Sequence, residues 1–197
     1  MDQTSGWAVW LTGLPASGKT TLARALRCKL NALGISAIVL DSDELRRVLL
    51  PNGTYTPAER DWFYNRLVEL AAWLVRSGEH VIIAATGNRR WYREMARARL
   101  GPRFAEVWVR CPLDICRTRD SKGLYARAAA GLVHNLPGVD TPYEVPERPE
   151  IVVDTDRLTP EEAAAIVLAN LAFVQRAPLS ASGSAPSRSP LLQTTDS

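Results

Sequence analysis

The residues with the most recognisable chemistry lie in a glycine-rich stretch near the start of the chain. The pattern G-x-x-x-x-G-K-[ST] is met by Gly13, Gly18, Lys19 and Thr20. Glycines let backbone N–H groups come close to phosphate oxygens, and the N-terminus of a following helix favours negative charge. We expect Lys19 to reach the β- and γ-phosphates of a nucleoside triphosphate and the Thr20 hydroxyl to bind Mg²⁺. The alternative is an ordinary glycine-rich turn.

Two carboxylates, Asp41 and Asp43, follow a short apolar run at residues 35–40 that predicts a buried strand. In an open parallel sheet, ligands bind beyond the carboxyl ends of the strands. A strand that ends in two acids beside a phosphate loop is therefore a candidate catalytic edge. The alternative for either residue is the N-cap of a helix predicted at residues 44–50.

The arginines divide into one candidate ligand and one charged run. The segment Thr56-Pro57-Ala58-Glu59 predicts a capped helix to about residue 76, and Arg60 lies in its first turn, where a cation opposes the helix dipole. Such an arginine is easier to explain if it faces an anionic ligand, and a solvent-exposed side chain is the alternative.

A later run of arginines predicts a solvent-exposed helix face. The alternative is that one or two of its members bind an anion. The members of this run are Arg89, Arg90, Arg93, Arg97 and Arg99.

Strand and helix patterns alternate along the chain. Five apolar runs predict strands, at residues 7–12, 35–40, 81–85, 104–109 and 151–153. The alternation predicts an α/β fold with a parallel five-stranded sheet and helices on both of its faces. Residues 120–149 fit no strand and are too long for an idle connection, so we expect them to form a mobile, charged lid over the phosphate site. The expected organisation is a flexible N-terminus at residues 1–6, one domain at residues 7–176 and a disordered tail at residues 177–197.

Composition argues against several classes of protein. The 197 residues include 24 basic and 21 acidic side chains, and the formal net charge of +3 does not fit a nucleic-acid-coating surface. No basic and then apolar leader opens the chain, and its apolar runs are far shorter than a membrane span. The three cysteines match neither C-x-x-C nor a disulfide framework, and the two histidines lack metal-ligand spacing. We therefore expect a cytoplasmic protein with a small-molecule partner and without nucleic acid, membrane or zinc.

Four motifs together resemble those of the adenylyl-sulfate kinase family. They occur in the family's order and spacing, and they are residues 13–21 (GLPASGKTT), 41–43 (DSD), 122–125 (KGLY) and 138–144 (GVDTPYE). The similarity covers about residues 7–172, and the lid signature is far more selective than the phosphate loop. The resemblance implies a three-layer fold of the P-loop NTPase type, ATP and Mg²⁺ as cofactors, and phosphorylation of the 3′-hydroxyl of adenylyl sulfate. For the assembly of the chain it allows a homodimer.

The resemblance also implies roles for individual residues. Lys19 and Mg²⁺ would neutralise charge on the transferred phosphoryl group, Asp43 would align or deprotonate the acceptor hydroxyl, and Lys122 would arrive with the closing lid. The implied ATP-binding residues are Gly13, Ala16, Ser17, Gly18, Lys19, Thr20, Thr21, Arg119 and Thr155, with Thr20 also the Mg²⁺ ligand. For Thr155 a plain turn residue is the alternative. The implied acceptor-binding residues are Asp41, Arg46, Tyr55, Arg60, Phe63, Asn88 and Leu136.

The chain departs from the family at the acceptor-binding positions. Tyr55 and Leu136 stand where the family has two phenylalanines that sandwich the adenine of adenylyl sulfate, and Leu136 supplies no ring. Phe63 replaces an acceptor-binding asparagine. The segment Asn88-Arg-Arg-Trp91 replaces Ser-Pro-Tyr-Arg, and Ser42 replaces a glycine between the two acids.

These changes leave two alternatives to adenylyl-sulfate kinase activity. Because the ATP-binding positions are intact, one alternative is a related kinase for a different acceptor. That acceptor would be another nucleotide-linked metabolite, a sugar or polyol, or an antibiotic hydroxyl. The other alternative is a nucleotide-binding module without turnover, against which the presence of Lys19, Asp43 and Lys122 argues.

Overall fold

The computed structural model describes residues 6–171, in which strands and helices alternate. In chain order the elements are β1 Ala8–Thr12, α1 Lys19–Ala32, β2 Ala37–Asp41, α2 Ser42–Leu49, α3 Pro57–Arg76, β3 His80–Ala84, α4 Arg90–Leu100, β4 Phe104–Arg110, α5 Leu113–Thr118, α6 Leu124–Ala129, β5 Ile151–Asp154 and α7 Pro160–Asn170. A short 3-10 turn, Gly101–Arg103, joins α4 to β4.

The five strands in this part of the chain form one parallel sheet in the order β2-β3-β1-β4-β5. Strand β1 is central, with Ala8 opposite Val81 of β3 on one side and Phe104 of β4 on the other. All of its residues are buried, as expected of a parallel strand that is covered on both faces. Because the strand order reverses at β1, the loop after β1 opens into a crevice at the carboxyl edge, where open α/β sheets bind ligands.

Helices cover both faces of the sheet and complete three layers. Successive strand residues point to opposite faces, so Ile82 and Ile83 of β3 belong to different cores. The core that contains Ile82 includes Leu26 of α1 and Val167 of α7. The core that contains Ile83 includes Leu67 of α3 and residues of α4. The predicted α/β architecture is therefore confirmed.

Two of the helix starts follow the capping residues that the sequence supplies. The Thr56 hydroxyl accepts a hydrogen bond from the Glu59 N–H at 3.3 Å at the start of α3. At the start of α7, Thr159 and Glu162 form a reciprocal capping box. The first contact confirms the helix predicted from Thr56, and the second accounts for the start of α7.

One member of the arginine run does not lie on the surface. Arg93 is 1 % exposed, and its Nε forms an ion pair with Glu106 Oε1 at 2.5 Å. The predicted solvent-exposed face is wrong for Arg93, because it stands three residues before Ala96 and seven before Leu100, on the buried stripe of α4. The other four side chains of the run are all partly exposed.

The lid, defined as residues 120–149, contains no strand, but it includes α6 and an isolated bridge between Pro137 and Thr141. The expected tail at residues 177–197 lies outside the described residues, as do residues 1–5. Over residues 6–171, no helix has the length and apolar character needed to cross a bilayer.

Candidate active site

The phosphate loop, residues 13–20, joins the end of β1 to the start of α1. Gly18 has a φ of 96°, a backbone conformation that other L-residues rarely adopt, and no side chain caps α1. A Cβ atom on Gly13 would lie 2.4 Å from the carbonyl oxygen of Val109, so the close approach of β4 requires glycine. The N-terminus of α1 therefore directs its free N–H groups and the positive end of its dipole into the loop.

Residues near the ends of α5 and β5 brace this loop. The Thr155 hydroxyl donates to the Ser17 carbonyl at 2.8 Å, and Arg119 donates to the Thr155 carbonyl at 2.8 Å. The Ser17 hydroxyl is buried without a hydrogen-bond partner among the described residues. Ala16 has a φ of 58°, and Thr21 is exposed. The structure thus brings Thr155 against the loop and Arg119 against Thr155, and ATP binding by both residues stays a prediction.

Lys19 is the first residue of α1, and its ammonium group lies back over the loop. Its Nζ donates to the carbonyl oxygens of Gly13 at 3.0 Å and Leu14 at 2.7 Å. Burial lowers the pKa of Lys19 to about 8, although the nearby Asp43 carboxylate acts in the opposite direction. A cation held by neutral carbonyls in this way can exchange them for phosphate oxygens.

The Asp41 carboxylate links the loop to the acidic strand end. Its Oδ2 accepts from the Thr20 hydroxyl at 2.6 Å. Its Oδ1 accepts from the N–H groups of Asp43 at 2.9 Å and Glu44 at 3.4 Å. The capping alternative is therefore confirmed for Asp41, which also contacts the predicted Mg²⁺ ligand, and α2 begins at Ser42 rather than at residue 44.

Asp43 and Lys122 lie together although 79 residues separate them in the chain. Lys122 Nζ forms an ion pair with Asp43 Oδ2, and both side chains are about half exposed. The lid is held down on the phosphate loop by Tyr125, whose hydroxyl donates to the Pro15 carbonyl at 3.0 Å. The folded lid thus brings one predicted catalytic residue to another.

Arg46 lies within a group of aromatic rings on the acceptor side. Its guanidinium carbon is 3.9 Å from the ring centroid of Phe63, 4.8 Å from that of Tyr55 and 5.8 Å from that of Tyr64. Its NH1 group pairs with Glu59 at 3.2 Å. Phe63 is fully buried and provides a stacking surface for the arginine, which an asparagine would not supply.

A cavity of about 300 Å³ opens beside Arg46 and reaches Lys122. Tyr55 borders it with 42 % of its surface exposed and a φ of 59°. The Glu59 carboxylate accepts from the N–H groups of Thr54 at 2.6 Å and Tyr55 at 3.1 Å. Although burial favours the neutral acid, these hydrogen bonds lower the pKa of Glu59, so it stays charged opposite Arg46.

Arg60 is 7 % exposed and contacts three separate segments. Its Nε donates to the Tyr55 carbonyl at 3.1 Å, its NH1 to Asn88 Oδ1 at 3.3 Å, and its NH2 to the Asn135 carbonyl in the lid. Burial lowers the pKa of Arg60. The solvent-exposed alternative is wrong for this residue, whose side chain points into the molecule.

All of the predicted acceptor-binding residues except Tyr55 are buried, and three of them carry no charge. Phe63, Asn88 and Leu136 are 0 %, 2 % and 5 % exposed. Leu136 packs with Tyr125 in an apolar cluster between the lid and α5, where Leu113 also lies. Direct contact of Phe63, Asn88 and Leu136 with an acceptor therefore stays a prediction.

Sequence reasoning missed the residues that join the end of the lid to the sheet. Arg93 donates to the Gly87 carbonyl and to the Glu144 carbonyl, the latter at 2.6 Å. The hydroxyl groups of Tyr143 and Thr12 are hydrogen-bonded at 3.1 Å. The helical spacing of Arg93 was the signal in the sequence that could have identified it as a buried contact.

Oxygen donors beside the loop fit Mg²⁺. The Thr20 hydroxyl and the Asp41 carboxylate are hard ligands of the kind that Mg²⁺ prefers, together with phosphate and water oxygens. Within residues 6–171, no group of three or more His, Cys, Asp or Glu side chains could hold a metal ion. This arrangement suits a cation that substrate phosphates and only one or two side chains bind.

A phosphate loop that faces an acidic strand end beneath a lysine-bearing lid is typical of P-loop kinases, which transfer phosphate from ATP to small molecules. The model of the adenylylsulphate kinase family matches residues 5–154. The chain belongs to this family of ATP- and Mg²⁺-dependent kinases, which phosphorylate a hydroxyl group. The predicted family, reaction class and cofactors are confirmed.

Individual relatives are similar over most of their length. The adenylyl-sulfate kinase of Paraburkholderia xenovorans (strain LB400) is 39 % identical over 176 residues, which cover 89 % of this chain and 98 % of the relative. The probable adenylyl-sulfate kinase of Archaeoglobus fulgidus is 45 % identical over 152 residues, which cover 77 % and 97 %. The solved structure of the Mycobacterium tuberculosis APS kinase CysC in complex with AMPPNP and APS has a TM-score of 0.79 and 38 % identity, covering 85 % of this chain and 98 % of the other.

Proposed function

We propose that this chain is an ATP-dependent kinase that phosphorylates the 3′-hydroxyl of adenylyl sulfate. The observation that carries the proposal is the ion pair of Lys122 with Asp43 at the carboxyl edge of the sheet, close enough to Lys19 to influence its pKa. The solved M. tuberculosis relative is described in complex with APS and AMPPNP. The relatives from P. xenovorans and A. fulgidus have adenylyl-sulfate kinase as their names.

The residues divide the reaction into donor and acceptor tasks. The N–H groups of the phosphate loop and Lys19 bind the ATP phosphates, and Thr20 with Asp41 would hold Mg²⁺, which neutralises charge on the β- and γ-phosphates. Asp43 takes the proton of the acceptor hydroxyl while the hydroxyl oxygen attacks the γ-phosphorus of ATP. The bond between the γ-phosphorus and the bridging oxygen of the β-phosphate breaks in the same step. Lys122 leaves Asp43 and stabilises the negative charge on the transferred phosphoryl group.

Arg46 and Arg60 supply positive charge for an anionic acceptor. Both side chains are 7 % exposed, and guanidinium groups donate in pairs to phosphate or sulfate oxygens. Tyr55 offers an exposed ring on which a base can stack. The positive charge and the stacking surface on this side of the site therefore favour an acceptor that is a nucleotide with a sulfate or phosphate group.

A different hydroxyl acceptor is the second candidate. Leu136 offers no ring at the position that the family resemblance pairs with Tyr55, and Phe63 stacks on Arg46 instead of offering an amide. One stacking surface and one hydrogen-bonding group for adenylyl sulfate are therefore absent at these two positions. The candidate acceptors are another nucleotide-linked metabolite, a sugar or polyol, and an antibiotic hydroxyl.

A coupled ADP-release assay with MgATP and a panel of these acceptors tests the proposal, with Lys19→Ala as the inactive control. Rapid turnover with micromolar adenylyl sulfate is the expected result. Turnover with another hydroxyl compound, and none with adenylyl sulfate, would favour the second candidate. If no acceptor supports ADP release, kinase activity itself is contradicted and a binding module is favoured.

We also propose a cytoplasmic location and a homodimer. Cys28, Cys111 and Cys116 are unpaired, which suits a reducing compartment. The homodimer follows from the family resemblance, and light scattering during size-exclusion chromatography tests it. A mass equal to that of one chain at micromolar concentration would contradict it.

A further inference from the structure

The partners that orient Arg60 are all neutral within the described part of the chain. They come from the loop before α3, from the turn after β3 and from the lid. A buried guanidinium must satisfy its fork of N–H donors, because an unpaired buried donor is costly. The positions of these neutral oxygens therefore decide where the Arg60 cation points.

Asn88 uses both ends of its side-chain amide. Its Oδ1 accepts from Arg60 at 3.3 Å, and its Nδ2 donates to the Pro142 carbonyl in the lid at 3.2 Å. Its backbone carbonyl accepts from the Glu144 N–H at 2.8 Å. Because the residue is also 2 % exposed, Asn88 offers an acceptor almost no free polar surface. It instead joins Arg60 to the end of the lid.

The turn that carries Asn88 is held on two sides. Arg93 donates to the carbonyl of Gly87, the residue before Asn88, and to the carbonyl of Glu144 in the lid. Arg93 is fixed in turn by its buried ion pair with Glu106. The amide of Asn88 therefore has a defined position relative to α4 and to the lid.

We propose that Asn88 is a positioning residue that acts through Arg60. It directs the guanidinium toward the anionic group of the acceptor and couples that orientation to the lid, a role that rests on the proposed function of Arg60 in acceptor binding. Arg60 also donates to the Asn135 carbonyl, so the same guanidinium holds the lid and meets the acceptor.

A double-mutant cycle tests the positioning role. Asn88→Ala and Arg60→Met are each expected to raise the KM for adenylyl sulfate about tenfold and to leave the KM for MgATP unchanged. Arg60→Met removes the guanidinium, and Asn88→Ala removes the hydrogen bond that orients it. Asn88→Ala in the Arg60→Met background should add less than about a twofold change. Asn170→Ala is the matched control, since its side chain also donates to a backbone carbonyl, that of Ile166 in α7.

Hydrogen exchange gives a readout that does not depend on the acceptor. With a non-hydrolysable ATP analogue bound, each single substitution should speed amide exchange in residues 132–141, and the double substitution should be no faster than Arg60→Met alone. Exchange in residues 143–146 should respond only to Asn88→Ala, since the Asn88 side chain donates to the Pro142 carbonyl and Arg60 makes no such contact.

The outcomes separate this inference from the proposed function. Additive effects on the acceptor KM would show that Asn88 contacts the acceptor itself and would overturn the positioning role. An unchanged acceptor KM with a lowered melting temperature would reduce Asn88 to a structural residue and would also overturn it. If adenylyl sulfate is not a substrate, the proposed function fails, and the exchange pattern in residues 132–141 alone decides the role of Asn88.

Discussion

The affinity for MgATP should weaken steeply as the pH rises above 8. Burial holds the pKa of Lys19 at about 8, below its ordinary value of 10.5. ATP places phosphate oxygens beside Nζ and so favours the charged form of the lysine. Binding above pH 8 therefore requires the uptake of a proton, and each further pH unit opposes it.

The size of the effect follows from the fraction of Lys19 that is protonated before ATP binds. With a pKa of about 8, that fraction is about 0.9 at pH 7 and about 0.03 at pH 9.5. The dissociation constant of MgATP should therefore rise about 30-fold across this range. A lysine with its ordinary pKa would stay about 90 % protonated at pH 9.5 and would leave the affinity almost constant.

Isothermal titration calorimetry at constant ionic strength measures this change, and buffers of different ionisation enthalpy report the proton uptake directly. The matched control is Lys19→Arg, since arginine stays charged throughout the range. Its dissociation constant should change less than about twofold from pH 7 to pH 9.5. A flat profile for the wild-type chain, or equal slopes for the two proteins, would refute the lowered pKa.

The lowered pKa of Lys19 also affects stability, which should rise with pH while the affinity for MgATP falls. Between pH 8 and pH 10.5 the unfolded chain keeps the Lys19 proton that the folded chain has lost, so the free energy of unfolding rises with pH. Relative to Lys19→Met, the wild-type chain should gain about 1.6 kcal/mol between pH 8 and pH 9.5, at 1.36 kcal/mol per pKa unit, because folded Lys19 is still half protonated at pH 8. Urea denaturation at the two pH values measures this difference, and a constant difference would contradict the prediction.

Two further predictions concern the acceptor side. Asp43→Asn should lower turnover at least about 100-fold, because an amide cannot take the acceptor proton, and should leave the dissociation constant for MgATP unchanged. Glu44→Gln is the control at the neighbouring carboxylate. An active Asp43→Asn enzyme would show that the base is another residue. Phe63→Asn should lower the free energy of unfolding by about 3–5 kcal/mol in urea, because it leaves a cavity and a buried amide. Trp73→Asn, at a position 58 % exposed, should cost less than about 1 kcal/mol, and equal losses would argue against the buried position of Phe63.

The donor side of the site and the alternation of strands with helices were predictable because their signals are local. The phosphate loop is a short run of residue types, and β1 is a continuous apolar run whose burial follows from its central place in a parallel sheet. The cap at Thr56 and the capping box at Thr159 are likewise patterns of four residues. The buried position of Arg93 also had a local signal, its helical spacing, but the neighbouring arginines obscured it.

The acceptor side was less predictable because its contacts join distant parts of the chain. Lys122 meets Asp43 across 79 residues, and the hydrogen bonds of Arg60 span 5, 28 and 75 residues. The family resemblance implied acceptor contacts for Phe63 and Asn88, and the structure shows that both side chains are buried. Which side chains face a ligand depends on how the lid packs, and no local pattern specifies that packing.

By itself, the sequence determined the phosphate loop, the parallel α/β architecture and the resemblance to adenylyl-sulfate kinases, because each depends on short motifs and on their order. Only the tertiary structure decided that Asp41 both caps α2 and binds Thr20, that Phe63 supports Arg46, and that Asn88 holds Arg60. These contacts arise where the carboxyl edge of the sheet, α3 and the lid converge. The physical reason is that the orientation of a buried cation is set by all the groups that surround it, and those groups come from segments far apart in the chain.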